Sequence, residues 1–133
     1  MDRYTFRALY NGEFVYGNLI RAIYDGVPFF EIEHSDSQDF ATWQVDKETI
    51  GQFIGMLDEN DVEIFEGDIV KVTNNYHGKK GNFVFKAKII YNKYVYGYQI
   101  SYPNINNHFV SDCMKSGYFF EVIGNIHQNP ELL

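Results

Sequence analysis

The stretch that decides the fold runs Phe83-Val84-Phe85-Lys86-Ala87-Lys88-Ile89-Ile90-Tyr91. Its apolar residues and lysines alternate, and successive side chains of a β-strand point to opposite faces of the sheet. Lys86 and Lys88 are therefore predicted on one face of a strand, with Phe85 and Ala87 on the other. This strand is the starting point from which the rest of the chain is interpreted.

The neighbouring segments carry the same signal. Tyr96–Tyr102 is predicted to pair with this strand across Asn92-Lys93, and Pro103 ends it because proline cannot donate to a strand ladder. Upstream, residues 74–82 are rich in Asn and Gly and predict a loop. A final strand is predicted at Phe119–Ile126.

Tight turns punctuate the N-terminal half. Asn11-Gly12 predicts a hairpin between Tyr4–Leu9 and Phe14–Ile20, because both turn residues tolerate positive φ angles. The Asp25-Gly26 pair predicts another turn, followed by a strand at Phe29–Glu33 and a polar loop over residues 34–39. This half is therefore expected to be a region of β-hairpins.

The middle of the chain predicts short elements only. Asp46 is expected to cap a brief helical turn that ends at Gly51. Gln52–Leu57 and Glu63–Phe65 are predicted strands around a polar hairpin loop, residues 58–62. Helical periodicity is otherwise scarce.

Together these signals predict an all-β fold, with a short helix at Asn107–Met114. Residues 1–133 are expected to form one unit with two small β subdomains, residues 1–50 as a β-hairpin region and residues 51–133. The second subdomain would suit an SH3-like barrel, because closure removes exposed strand edges.

Composition predicts a soluble protein that stays inside the cell. Hydrophobic residues make up 45% of the 133, enough to bury a core. The single cysteine, Cys113, provides no disulfide framework, which fits a reducing cytoplasm. The N-terminus lacks a signal-like apolar run and no stretch is long enough to span a membrane, so no membrane partner is expected.

The charges are unevenly distributed. Residues 1–68 hold fifteen Asp and Glu against four Lys and Arg, whereas residues 69–111 hold six lysines and no acid. Tyrosines and phenylalanines are interleaved with these lysines, as in surfaces that hold single-stranded nucleic acid. The candidate nucleic-acid-binding residues are Lys71, Lys79, Lys80, Lys86, Lys88, Tyr76 and Tyr91.

A plainer interpretation of the same residues is that tyrosines fill β-cores and lysines solubilise strand edges. The acidic first half could also face the basic second half, within one molecule or between copies. The net charge of −7 argues against general nucleic-acid binding.

No residue pattern predicts catalysis, a metal site or a cofactor. Glu66 and Asp68 could share a face, but Gly67-Asp68 is ordinary turn chemistry and no third ligand is apparent. His108 and Cys113 lie five residues apart, which does not align them on one helix face. We therefore expect a protein that is not an enzyme and takes no cofactor.

Ordered sequence blocks carry a family resemblance, and they are Phe6-Arg7-Ala8, residues 45–57, residues 63–70 and residues 121–133. Together they resemble the YopX family of phage and prophage proteins. The resemblance implies an all-β architecture, a phage or prophage origin and a location in the cytoplasm of the bacterial host, and it implies no enzyme class. Where such sequences commonly have Asn-Gly, this chain has Asn60-Asp61, which makes a tight turn there less secure.

Two hypotheses follow. The first is a non-enzymatic phage accessory protein that binds a phage or host protein or forms a homo-oligomer, because charge separation favours complementary association. The alternative is a single-stranded nucleic-acid-binding β-barrel that uses the lysine- and tyrosine-rich segment 71–102.

Overall fold

The computed structural model describes residues 5–35, 40–102 and 107–133 of the chain. It is all-β as predicted, with antiparallel strands throughout and one short α-helix. The chain divides into two compact units, Met1–Gly55 and Met56–Leu133. Within the described residues, no helix is both long and apolar enough to cross a membrane.

The strands of the first unit are β1 (Phe6–Tyr10), β2 (Glu13–Tyr24), β3 (Val27–Ser35), β4 (Phe40–Gln44) and β5 (Gly51–Leu57). These five antiparallel strands lie in the order β4-β3-β2-β1-β5. Its core centres on Ala8, Ile32 and Val45, which are buried beneath Trp43 and other half-buried apolar side chains. The boundary between the two units, after Gly55, falls within β5.

Both predicted turns of this unit are confirmed. Asn11 and Gly12 have φ angles of 51° and 82°, and Asp25 and Gly26 have 49° and 76°. Two successive positive φ angles give the turn whose twist matches that of the flanking strands. Because the second turn is this tight, β3 begins at Val27. Residues 34 and 35 of the predicted loop at 34–39 belong to β3, and residues 36–39 lie outside the described part of the chain.

The predicted helical turn is confirmed as one turn of 3₁₀ helix, Lys47–Thr49. The Asp46 carboxylate accepts a hydrogen bond from the Glu48 N–H at 3.1 Å. The Thr49 hydroxyl donates to the Asp46 carbonyl at 2.7 Å and accepts from the Leu9 N–H at 2.9 Å. The turn therefore ties this segment to β1.

The elements of the second unit are β6 (Glu63–Phe65), β7 (Asp68–Tyr76), β8 (Lys79–Asn92), β9 (Gly97–Ser101), β10 (His108–Phe109), α1 (Val110–Lys115) and β11 (Phe119–Asn125). The unit holds a five-stranded antiparallel sheet with the order β10-β9-β8-β7-β11. The final strand is confirmed, and the predicted short helix forms later than expected, at Val110–Lys115, because His108 and Phe109 pair as strand β10. Among the described residues β10 and β11 are the sheet edges, so the SH3-like barrel stays a prediction.

The loop predicted at residues 74–82 is wrong. β7 continues to Tyr76 and β8 begins at Lys79, so only His77 and Gly78, with φ angles of 51° and 82°, form the turn. The Asn75 side chain accepts from the Gly78 N–H at 2.8 Å. The register between β7 and β8 shifts between Thr73 and Asn75, where β8 has extra residues relative to β7. The polar residues of this segment, which predict a loop, therefore belong to two paired strands.

The β8–β9 connection is also longer than predicted. β9 starts at Gly97, paired with Asn92, so residues 93–96 form the loop between the two strands. Tyr96, expected within the strand, instead has a left-handed φ of 53°. The predicted strand end at Pro103 and the first hairpin residue, Tyr4, lie outside the described residues.

Candidate binding surface

Several buried polar residues support the backbone of the second unit. The buried Asp58 carboxylate accepts three backbone hydrogen bonds, from Asn60 and Val62 at 2.8 and 2.9 Å and from Val122 at 2.9 Å. These bonds hold the polar loop against β11. They also allow Asp61 to take a φ of 62° where glycine was expected, so the turn forms without glycine.

Asp68 and Asn125 have similar structural roles. Asp68 is 1% exposed and its Oδ2 accepts from the Phe65 N–H at 2.8 Å. The Asn125 side chain accepts from the His127 and Gln128 N–H groups at 3.0 and 2.9 Å. A carboxylate or amide used this way shapes the chain and is not displayed to a substrate.

No metal-binding cluster of His, Cys, Asp and Glu occurs among residues 5–35, 40–102 and 107–133. Burial raises the pKa of the Cys113 thiol, and the nearby Asp112 carboxylate raises it further. Partial burial also raises the pKa of Tyr102, with repulsion from Cys113 and Tyr118 adding to it. A raised pKa keeps the thiol protonated, whereas a nucleophilic cysteine needs a lowered one.

Four of the five candidate lysines share one face of the five-stranded sheet, which we call the lysine face. Lys71 lies directly opposite Lys86, and Lys88 opposite Ile69, so their side chains point the same way. Lys80 reaches this face near the turn, with its ammonium 5.7 Å from the centre of the Phe119 ring. The predicted alternation of β8 is thereby confirmed.

Acidic neighbours neutralise two of these lysines. The Lys71 ammonium lies 3.1 Å from the Glu121 carboxylate, and that of Lys80 lies 2.7 Å from the Glu59 carboxylate. Lys86 and Lys88 form no ion pair with any residue that the structure describes. The lysine face thus carries two lysines available to a phosphate backbone, fewer than its sequence suggests.

The other candidate residues lie apart from these lysines. Tyr91 pairs with Tyr98 on the opposite face, which also carries Ala87 and Ile89 and which we call the helix face because α1 packs there. Tyr76 and Lys79 oppose each other beside the turn. Tyr76 thus lies beside one candidate lysine, whereas Tyr91 lies on the face opposite Lys71, Lys86 and Lys88.

A different surface presents aromatic side chains to solvent. The β8–β9 loop, residues 93–96, holds Tyr94 at 81%, Val95 at 44% and Tyr96 at 85% exposure. We call this loop the tyrosine tip. The Asn92 side chain accepts from the Tyr94 N–H at 3.0 Å, and the Lys93 ammonium lies 5.3 Å from the centre of the Tyr94 ring.

The backbone at the tip is strained. A φ of 53° is rare for a bulky residue such as Tyr96 and costs about 1–2 kcal/mol relative to glycine. Almost none of this is recovered by packing, since the side chain is 85% exposed. Residues held in left-handed geometry without being glycine cluster at functional sites.

A cavity of about 200 Å³ lies at the other end of the β8–β9 hairpin, between the helix face and α1. Aromatic rings form much of its wall: Phe85 stacks on Tyr102 with centroids 4.6 Å apart, and Phe83 lies 5.3 Å from Phe85. The exposed side chains of Asp112 and Ser116 stand at its rim. Small-molecule sites usually enclose roughly 300–1,000 Å³, so this cavity suits a single ring.

Sequence reasoning missed both features. The sequence predicts Tyr96 within a strand and does not set Tyr94 apart from the other tyrosines between the lysines. A run of four bulky or charged residues between Asn92 and Gly97 was the available signal for a loop. The cavity had no local signal, because Phe83 and Cys113 meet only after folding.

The fold and these surfaces define a small all-β protein in which buried polar side chains accept hydrogen bonds from the backbone. A family model described as YopX protein matches residues 5–133, and the chain belongs to the YopX family. It is similar to the crystal structure of protein EF1440 from Enterococcus faecalis, with 25% identity and a TM-score of 0.52 over 97% of this chain and 96% of that one. A comparison with curated proteins finds no match.

Proposed function

We propose that this chain is a non-enzymatic phage accessory protein that binds another protein through its tyrosine tip. The observation that carries the proposal is the exposure of Tyr94 and Tyr96, at 81% and 85%, on a strained loop. Tyrosine is enriched in the energetic centres of protein interfaces. The partner is a phage or host protein, or a second copy of the chain.

The rest of the site chemistry supports a binding role. The buried carboxylates of Asp58 and Asp68 accept backbone hydrogen bonds. The Cys113 thiol has a raised pKa. The two carboxylates stabilise the fold and the raised pKa keeps the thiol protonated, so the exposed groups of the tip are the better candidates for function. The family resemblance supports a phage origin and, with it, action in the host cytoplasm.

Single-stranded nucleic-acid binding is the weaker candidate. Lys86 and Lys88 support it, because they project together from the lysine face. Glu59 and Glu121 oppose it by pairing with the adjacent lysines, and the net charge of −7 adds long-range repulsion.

The test is affinity purification of the full chain from phage-carrying bacteria, followed by identification of the proteins retained. The variant Tyr94→Ser/Tyr96→Ser removes the tip rings, and Tyr24→Ser removes an exposed tyrosine beside a turn of the first unit. We expect the tip variant to lose a specific protein that the wild type and Tyr24→Ser retain. Equal recovery by all three proteins would contradict the proposal, as would a wild type that retains no specific protein and also stays monomeric.

A further inference from the structure

The tyrosine tip and the ring-lined cavity match each other in size and chemistry. An apolar cavity of roughly 150 Å³ can hold one benzene ring, so a cavity of about 200 Å³ admits a single phenol ring. The stacked Phe85 and Tyr102 rings offer the faces and edges that aromatic side chains prefer as neighbours. Tyr94 is such a ring, and 81% of it is exposed.

Their charges are also complementary. Lys93 accompanies Tyr94, with its ammonium 5.3 Å from the centre of that ring. Asp112 stands exposed at the rim of the cavity. A tyrosine that enters the cavity therefore brings a cation toward a carboxylate, which steers the approach and fixes its orientation.

The tip does not fill the cavity of its own molecule, because the Tyr94 side chain is 81% exposed. The tip lies beyond Asn92, whereas the cavity wall runs from Ile100, which pairs with Ile89, to Phe85. The segment from Asn92 to Phe85 is about 24 Å long at a rise of about 3.4 Å per residue. An occupant from another molecule can therefore use the cavity.

We propose that the tyrosine tip docks into the ring-lined cavity of a second copy of this chain, with Tyr94 in the cavity and Lys93 beside Asp112. Because the tip and the cavity lie at opposite ends of one hairpin, two hairpins laid side by side in opposite directions make both contacts at once. Two identical contacts related by a two-fold axis form a closed dimer. This inference rests on the proposed function and names its partner.

The dimer is expected to be weak and concentration-dependent. Each contact buries one aromatic ring and a small rim, and interfaces below about 1,200 Å² are typical of transient association. A weak dimer leaves the tip available to other proteins at low concentration. The dimer therefore does not exclude a second partner.

The test is sedimentation velocity of the purified full chain from micromolar to millimolar concentrations. We expect the wild type to shift from monomer to dimer, Tyr94→Phe to behave alike, and Tyr94→Ser to raise the dissociation constant at least about tenfold. Tyr24→Ser is the matched control and should dimerise like the wild type. A wild type that stays monomeric, or a Tyr94→Ser protein that dimerises normally, would overturn the proposal.

A charge exchange tests the pairing itself. Lys93→Asp and Asp112→Lys should each weaken the dimer, and the protein carrying both changes should recover most of the lost affinity. A double variant no tighter than either single variant would overturn the placement of Lys93 beside Asp112. Circular dichroism checks folding, which these exposed positions leave intact.

The outcomes separate this inference from the proposed function. A monomeric wild type whose tip still retains a specific phage or host protein overturns the dimer and leaves the proposed function standing. A monomeric wild type whose tip retains nothing overturns both. Dimerisation lost with Tyr94→Ser supports both.

Discussion

At the scale of single residues, the buried side chains of Asp58, Asp68 and Thr49 form hydrogen bonds with the backbone of the chain. Asp58 satisfies three N–H groups and Asp68 at least one, while Thr49 both donates and accepts. A buried N–H without a partner costs about 1–3 kcal/mol, so these side chains stabilise turns that would otherwise leave donors unpaired. Their hydrogen bonds therefore stabilise the fold.

The first prediction concerns Asp58. Asp58→Ala leaves the N–H groups of Asn60, Val62 and Val122 without their acceptor, and we expect it to lower the free energy of unfolding by about 3 kcal/mol or more. Asp58→Asn keeps one acceptor oxygen and should lose about half as much. Urea unfolding followed by circular dichroism measures both. An Asp58→Ala protein as stable as the wild type would contradict this role.

The second prediction concerns the strain at Tyr96. Glycine adopts a φ of 53° at little cost, so Tyr96→Gly should raise the free energy of unfolding by about 0.5–1 kcal/mol while weakening association. Tyr94 lies outside the left-handed region, so Tyr94→Gly should give no such gain. Thermal unfolding of the two variants compares them directly. A loss of stability with Tyr96→Gly would show that the tip is not strained.

At the scale of elements, glycine determines how closely two strands approach. A Cβ atom at Gly17, whose φ is 156°, would lie 2.1 Å from the Glu33 carbonyl oxygen of β3. A Cβ atom at Gly26 would meet nothing within 4 Å. Gly17 therefore allows β2 and β3 to approach each other closely, whereas Gly26 allows the positive φ angle of its turn.

The third prediction follows from that contrast. Gly17→Ala must push β2 and β3 apart and should lower the free energy of unfolding by more than about 2 kcal/mol. Gly26→Ala, at a φ of 76° in open space, should cost only about 1 kcal/mol. Trp43, the chain's one tryptophan, lies in the same unit and reports unfolding by fluorescence. Equal costs at both positions would refute the close-approach argument.

Local chemistry made some of these elements predictable. Asn11-Gly12 and Asp25-Gly26 specify their turns by themselves, and the alternation around Lys86 and Lys88 specifies a strand and its faces. The loop predicted at residues 74–82 failed because its polar residues pair across a tight His77-Gly78 turn. Partners across a sheet decide such a segment, and a local pattern does not display them.

At the scale of the whole molecule, folding separates what the sequence places together. Lysines and tyrosines alternate along segment 71–102, yet Lys71, Lys86 and Lys88 emerge on one face and Tyr91 on the other. The cavity joins Phe83 to Cys113 across thirty residues of sequence. The candidate binding surface could therefore be located only after the strand register was known.

The most direct test of the central claim is a photo-crosslinking scan of the full chain in phage-carrying bacteria. A photoreactive residue is placed in turn at positions 24, 76, 84, 94 and 96, whose side chains are all exposed. If the tyrosine tip is the binding surface, discrete protein adducts will form from positions 94 and 96 and not from the other three. Adducts formed equally from all five positions, or mainly from position 84 on the lysine face, would contradict the account.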